Sequence, residues 1–260
     1  MIDIEPLRLL FVYGLLIFPF GVILWFRIGM ATQVIVGVIR MTCQLLFVGL
    51  YLQFIFDRNS IWLNILWITM MICVADVSVI RGCAYRVKRF CVPLFAAMLI
   101  GVSIPLLVFV GLVIDSADIL PARYAIPIAG MILGNCLRAN IVGIGRFYQD
   151  IRQREKPYLM SLAQGATQSE ALRPYVRTAI QAALAPTTAT MAAMGLVSLP
   201  GMMTGVMLGG GDPMPAIKYQ IAIMMSIFSS AVITVFLAIV MTAKKSFNGY
   251  GVLDKTIFTD

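Results

Sequence analysis

About seven stretches of this chain stay largely apolar for some twenty residues, the length a helix needs to cross the hydrocarbon core of a bilayer. They run over roughly 7–26, 34–56, 61–80, 92–114, 122–144, 183–210 and 216–242. In lipid no water is at hand to satisfy backbone N–H and C=O groups, so each stretch is expected to be a helix that pairs them internally. The predicted fold is all-α: a polytopic membrane protein with about seven transmembrane helices, forming one transmembrane domain over residues 1–260. The composition agrees, with 60% hydrophobic and 12% charged side chains. Loops between the stretches are short, so there is no room for a soluble catalytic domain. Seven spans do not divide into equal halves, which argues against the inverted-repeat design of many secondary transporters.

Where Lys and Arg gather sets the orientation of such a chain. With the N-terminus outside, fifteen of the twenty Lys and Arg fall on the cytosolic side, including Arg86, Lys88, Arg89, Arg152, Arg154, Lys156, Lys244 and Lys245. The outside receives Arg8, Arg58, Arg123 and Lys218, while Arg138 falls within a span. N-out, C-in is therefore expected. The net charge of +8 reports contact with anionic membrane lipids and not with nucleic acid. The N-terminus carries Asp3 and Glu5 in place of a basic n-region, so no cleavable signal peptide is expected. The five cysteines show no paired spacing and no CxxC, and histidine is absent, which predicts no disulfide framework.

One polar, amphipathic passage interrupts the apolar pattern, Lys156–Thr187, within a predicted cytosolic elbow spanning 147–182 between spans five and six. Pro157 suits the first turn of a short helix. Leu159, Leu162 and Ala163 then share a face, and Gly165 ends the helix, since glycine takes left-handed dihedrals without a Cβ clash. Thr167 and Glu170 have the spacing of a capping box for a second helix. Pro174 is expected to kink or split that second helix. Beyond it Val176, Ala179, Ile180, Ala183 and Leu184 repeat on one face, with Arg173, Arg177 and Gln181 opposite. The tail over 244–260 is polar and expected to be loosely ordered.

The elbow and three neighbouring stretches carry a family resemblance. Leu162-Ala163-x-Gly165-Ala166-Thr167, followed by Ala185-Pro186, is similar to the EAA loop of ABC-transporter permeases, although Gln164 departs from it and no Glu-Ala-Ala triplet is present. Ile126-Pro-Ile-Ala-Gly-Met-Ile-x-Gly-Asn135, Gly195-Leu-Val-Ser-Leu-Pro-Gly-Met-Met-x-Gly205 and Asp212-Pro-x-x-Ala-Ile-Lys-Tyr-Gln-Ile221 closely resemble FetB-type permeases, a family of iron-export ABC permeases. The resemblance is strongest over 121–242. It implies the permease subunit of an ATP-driven exporter of iron or another metal ion or metal complex, in a bacterial inner membrane. It implies two copies of the chain, coupled to a separate cytosolic ABC ATPase that binds ATP and Mg²⁺, with no cofactor in this chain. It assigns the ATPase-coupling role to the elbow, with Tyr158, Leu159, Leu162, Ala163, Gly165, Ala166, Thr167 and Glu170 as the residues concerned. A permease of the same build that moves a non-metal substrate is the alternative.

Polar groups inside a bilayer are costly, so they mark a candidate transport path. Arg40 and Gln44 stand one turn apart near the start of the second span, as a gate or as interfacial groups that snorkel to headgroups. Asp76, near the end of the third, is open to pairing with Arg81 or Arg40. Asn135 and Arg138 share a face of the fifth span at i, i+3, and suit either interhelical hydrogen bonding or a polar lining. Arg138 favours an anionic substrate and is awkward for a bare cation. In the sixth span Met194, Met202 and Met203 flank Pro200 and Gly201, whose break frees carbonyls that can face a cavity. Thioether sulfur is a soft metal ligand, but methionines mostly pack.

A rival reading comes from Gly209-Gly210-Gly211-Asp212, which fits the G-x-G-D signature of intramembrane aspartyl proteases with Asp76 as second carboxylate. That chemistry needs two carboxyls sharing a proton, and the predicted topology puts these two near opposite faces. No HExxH, GxSxG or phosphate-binding GxxxxGKS motif occurs, so the chain itself is not expected to be an enzyme or to hydrolyse ATP.

Overall fold

The computed structural model describes residues 6–114 and 120–258, which leaves Asp3 and Glu5 outside the described residues. The chain divides into two compact units, residues 1–58 with 208–210, and residues 59–207 with 211–260. The first holds α1 (Pro6–Tyr13), a 3₁₀ turn (Gly14–Leu16), α2 (Ile17–Trp25) and α3 (Ala31–Arg58). The expected first span is thus helical throughout, tightened once in the middle. Tyr13 and Thr42 hydroxyls meet at 2.7 Å, and Thr42 donates onward to Val38 O at 2.9 Å. Leu46, Phe47 and Leu50 of α3 are exposed, a surface that suits acyl chains.

The second unit holds α4 (Ile61–Gly82), α5 (Val87–Val108, continued as one π turn over Phe109–Val113), α6 (Ala122–Gln153), α7 (Glu155–Ala163), α8 (Gln168–Ala193), α9 (Gly201–Leu208) and α10 (Pro213–Ser246). The cross-contacts fix their directions. Asn64 of α4 donates to Leu120 O beside the start of α6, while Cys83, just past the end of α4, reaches Ile141 O, so α4 and α6 run parallel. Cys136 and Ser230 hydroxyl meet at 3.1 Å, Asn140 donates to Thr234 at 3.0 Å, and Tyr148 meets Ser246 at 2.9 Å, so α10 runs parallel to α6 as well. Tyr175 near the start of α8 reaches Arg154 O at the end of α6, making that pair antiparallel.

Small residues let these backbones approach. Where α5 crosses α10, Ser230 donates to Gly101 O at 2.6 Å. A Cβ on Gly101 would lie 2.9 Å from Thr234 N and nearer still to its Cγ2. Only a glycine fits there. Without a hydrophobic drive between helices in lipid, such close van der Waals packing and interhelical hydrogen bonds supply the association energy.

Five of the described helices are long and apolar enough to cross a membrane, over Ala31–Arg58, Ile61–Gly82, Arg89–Val113, Ala122–Gln153 and Pro213–Ser246. The expected sixth span over 183–210 is not one helix. The second half of α8 fills its first part, the chain then leaves helical geometry at Met194 (φ −68°, ψ 137°), and α9 resumes at Gly201. The break begins six residues before Pro200, at a short bridge between Met194 and Ser198. Nor does Pro174 split the chain: α8 continues through both Pro174 and Pro186. Its inner face explains this, because Ala171, Leu172, Tyr175, Ala179 and Ala183 are buried on both sides of Pro174, and tertiary packing overrides local propensity.

The tail is also not loose. Phe247 bridges Leu253, and Tyr85 bridges Phe258. Asn248 Oδ1 accepts from Tyr250 and Val252 N–H groups, and Leu253 and Ile257 are buried. Asp254 forms an ion pair with Arg89, which holds its carboxyl well below the usual carboxylate range. Arg152 lies over the Phe258 ring at 4.8 Å. The polar letters of the tail concealed a hydrophobic return every few residues.

Candidate functional site

Two features of the second unit stand out, an exposed elbow and a cavity, and α8 belongs to both.

The elbow is α7, a turn and the start of α8. Gly165 takes φ +93°, the conformation that ends a helix with glycine. The capping box forms as the spacing predicts: Thr167 N–H donates to Glu170 Oε2 at 2.8 Å, and Glu170 N–H reaches Thr167 Oγ1 at 3.4 Å. The Thr167 hydroxyl also donates to Glu170 Oε2 at 2.6 Å, and this bond, with that from the Thr167 N–H, holds the Glu170 carboxyl below its ordinary value. The expected coupling residues divide into two sets. Ala163, Gly165, Thr167 and Glu170 are exposed, and Ala166 is half-buried. Tyr158 is not on the surface: its hydroxyl donates to Gly251 O at 2.6 Å, and its ring packs against Tyr175 and Phe247. Burial pushes its phenol up from the ordinary value. Leu159 and Leu162 are partly buried against the same core. These three anchor the elbow inward, and the outward surface is Met160, Ala163, Gln164 and Gly165.

The cavity, of about 540 Å³, lies between α6, α8, the break and α10. Six of the ten residues expected along a transport path line it: Asn135, Arg138, Met194, Pro200, Gly201 and Met202. Met203 lines a smaller adjoining cavity together with Met194 and Pro200. Twelve further lining residues were not expected along a path, among them Met131, Thr187, Thr190, Ser198, Gln220 and Met224. A signal existed for two of them, since Thr187 and Thr190 stand three apart on one helix face. Gln220 is 7% exposed, and its Oε1 has no hydrogen-bond partner. Arg138, about midway along α6, is exposed to the cavity and donates from Nε to Gly134 O at 3.3 Å. Among the described residues no carboxylate pairs with it, and no cluster of three His, Cys, Asp or Glu could hold a metal ion.

Asp76 is elsewhere. It is buried in α4, hydrogen-bonded to the Cys91 thiol of α5, and no ion pair with Arg81 forms. Its second oxygen is unpartnered. Arg40 and Gln44 lie on α3 in the first unit. The protease pairing fails on geometry. The parallel contacts of α4, α6 and α10 put Asp76 level with Asn135 and Ser230, whereas Asp212 precedes the first residue of α10. At about 1.5 Å per residue the two carboxylates are roughly 25 Å apart along the helix axes, far too distant to share a proton.

Sequence comparison places the chain among known proteins. The profile of the Uncharacterised protein family UPF0014 matches residues 6–247. The chain is 33% identical over 226 residues to the Probable iron export permease protein FetB of Escherichia coli, covering 85% of this chain and 84% of that one. It is 30% identical over 219 residues to the UPF0014 membrane protein YjkA of Bacillus subtilis, covering 84% and 85%. It is 33% identical over 211 residues to the Protein ALUMINUM SENSITIVE 3 of Arabidopsis thaliana, covering 80% and 75%. No solved structure matches. With its long apolar helices, the chain is a multi-pass membrane protein and belongs to the UPF0014 family.

Proposed function

We propose that this chain is the membrane-spanning permease subunit of an ATP-driven ABC exporter, moving iron or another metal in ionic or complexed form. One observation carries the reading: α8 is a single helix from the capped elbow at Thr167 to the cavity wall at Pro186, Thr187 and Thr190. A partner that grips the elbow can therefore move the cavity wall directly. The related protein FetB, whose name describes iron export, supports the cargo and the direction.

In this reading the orientation is N-out and C-in, because the elbow end also gathers Arg86, Arg89, Arg152, Arg154, Lys244 and Lys245. Two copies of the chain meet two cytosolic ATPase subunits, which bind and hydrolyse ATP with Mg²⁺. The chain itself does no chemistry. ATP closes the ATPase pair, the exposed face at Met160 and 163–165 moves with it, and α8 carries that motion to the cavity. The break at 194–200 lets the far end of the wall change shape.

The test is co-purification of the detergent-solubilised chain with the ABC ATPase encoded beside it, followed by ATP hydrolysis. A stable, ATP-hydrolysing complex that Ala163→Arg disrupts is expected, since Ala163 is exposed and the substitution disturbs no internal packing. Failure of the wild-type chain to form a complex overturns the ATPase coupling. A complex indifferent to Ala163→Arg overturns the role of the elbow.

A further inference from the structure

We infer that the cavity takes its cargo as a carboxylate anion, free or as its metal chelate, and not as a bare metal ion. This rests on the transport reading of the cavity given above and narrows its substrate.

Three observations lead there. The first is charge. Among the described residues, Arg138 is the one charged side chain that lines the cavity, and Asp, Glu, His and Cys are absent from the lining. A guanidinium is always protonated and cannot ligate a metal. A bare dication would meet this fixed positive charge in a low-dielectric setting with no carboxylate to offset it. An anion meets the reverse: the Nε of Arg138 is spent on Gly134 O, which leaves its terminal nitrogens as a fork suited to a carboxylate.

The second is the rest of the polar lining. Asn135, Thr187, Thr190, Ser198 and Gln220 are all neutral, so nothing in the wall offsets the guanidinium, and hydroxyls and amides can donate to an anion.

The third is size. About 540 Å³ falls within the range of small-molecule sites, far above what one ion with its few ligand atoms occupies. Met131, Met194, Met202 and Met224 line the remaining wall, and flexible thioether side chains adapt to irregular cargo.

The experiment is isothermal calorimetry on the full-length solubilised chain without any ATPase, titrated separately with citrate, ferric citrate and Fe²⁺ under reducing conditions. Citrate or ferric citrate is expected to bind. Arg138→Gln is expected to weaken that binding roughly 10- to 100-fold, as befits a charge-assisted hydrogen bond, and Arg138→Lys to recover part of it. Asn135→Asp, which sets a carboxylate three residues before Arg138 on the same face, is expected to weaken anion binding as much while the melting temperature stays unchanged. Equal binding of citrate and ferric citrate identifies the free carboxylate as the cargo, and binding of ferric citrate alone identifies the chelate. Binding of Fe²⁺ alone, binding of none of the three, or anion binding indifferent to both Arg138→Gln and Asn135→Asp overturns the inference. Because the ATPase is absent, such a failure leaves the coupling test untouched, and a failed complex leaves this result standing.

Discussion

Two stripes of α6 have the same spacing and opposite fates. Cys136, Asn140, Gly143 and Phe147 form one, at i, i+4, i+7 and i+11, and are buried, with Cys136, Asn140 and Gly143 set against α10. Met131, Asn135, Arg138 and Val142 form the other, at the same intervals, and line the cavity. Along the first, hydroxyls, thiol and the Asn140 amide nitrogen are paired, leaving Asn140 Oδ1 without a partner, and Gly101 brings α5 to van der Waals contact with α10. Along the second, the guanidinium has no carboxylate partner among the described residues. The first stripe is closed against a neighbouring helix and the second leaves a charged group open, and on the transport reading the open stripe is the one that meets cargo.

Substitutions should separate the two stripes. The largest stability effect is expected on the closed side: Gly101→Ala drives a methyl into Thr234 and should cost about 1–3 kcal/mol, read as a lower melting temperature in detergent. Asn140→Ala removes the hydrogen bond to Thr234 and should cost about 0.6–1.7 kcal/mol by the same assay. Arg138→Gln, on the open side, is expected to leave the melting temperature within the small shifts of a surface change, about 0.5 kcal/mol or less, while substrate-stimulated ATP hydrolysis by the complex is lost. If Arg138→Gln proves as destabilising as Asn140→Ala, the two stripes are equivalent and the cavity is packing.

A second contrast, between elbow and tail, yields smaller effects. Tyr158→Phe removes the hydroxyl bonded to Gly251 O and should cost about 1 kcal/mol, seen as faster proteolytic clipping of the tail after residue 247. The Arg89–Asp254 pair adds a pH dependence. Its carboxyl titrates below its ordinary value of 3.8, so its contribution is complete above that value and fades as pH falls through the lowered one. Tail protection should therefore weaken at strongly acid pH in wild type and be pH-independent there in Asp254→Asn.

Much of this was legible in the sequence because it depends on local rules. The capping box at Thr167 and Glu170, the left-handed turn at Gly165 and the apolar lengths of α3 to α6 and α10 need no partner to be recognised. What escaped depends on neighbours. Pro174 looked like a break, and the buried residues flanking it carry the helix through. The tail looked polar, and Leu253 and Ile257 find a core brought to them by α4, α5 and α7. Tyr158 looked like a contact for a partner, and Gly251, ninety-three residues away, claimed it. Asp76 looked open to pairing with Arg81 or Arg40, and the Cys91 thiol took the carboxyl. Of the cavity, the residues on α6 and at the break were readable as misplaced polar or helix-breaking groups. Thr187, Thr190 and Gln220 were ordinary until α8 and α10 brought them together.

The central claim is that one helix joins elbow to cavity, and thiol modification tests it most directly. Thr190→Cys, in a chain whose exposed Cys43 and Cys73 are replaced by serine, is labelled in the reconstituted complex with its ATPase, with and without ATP. The account predicts that ATP changes the labelling rate at 190 severalfold and that Ala163→Arg abolishes the change. A rate at 190 unmoved by ATP, in a complex that hydrolyses it, would contradict the account.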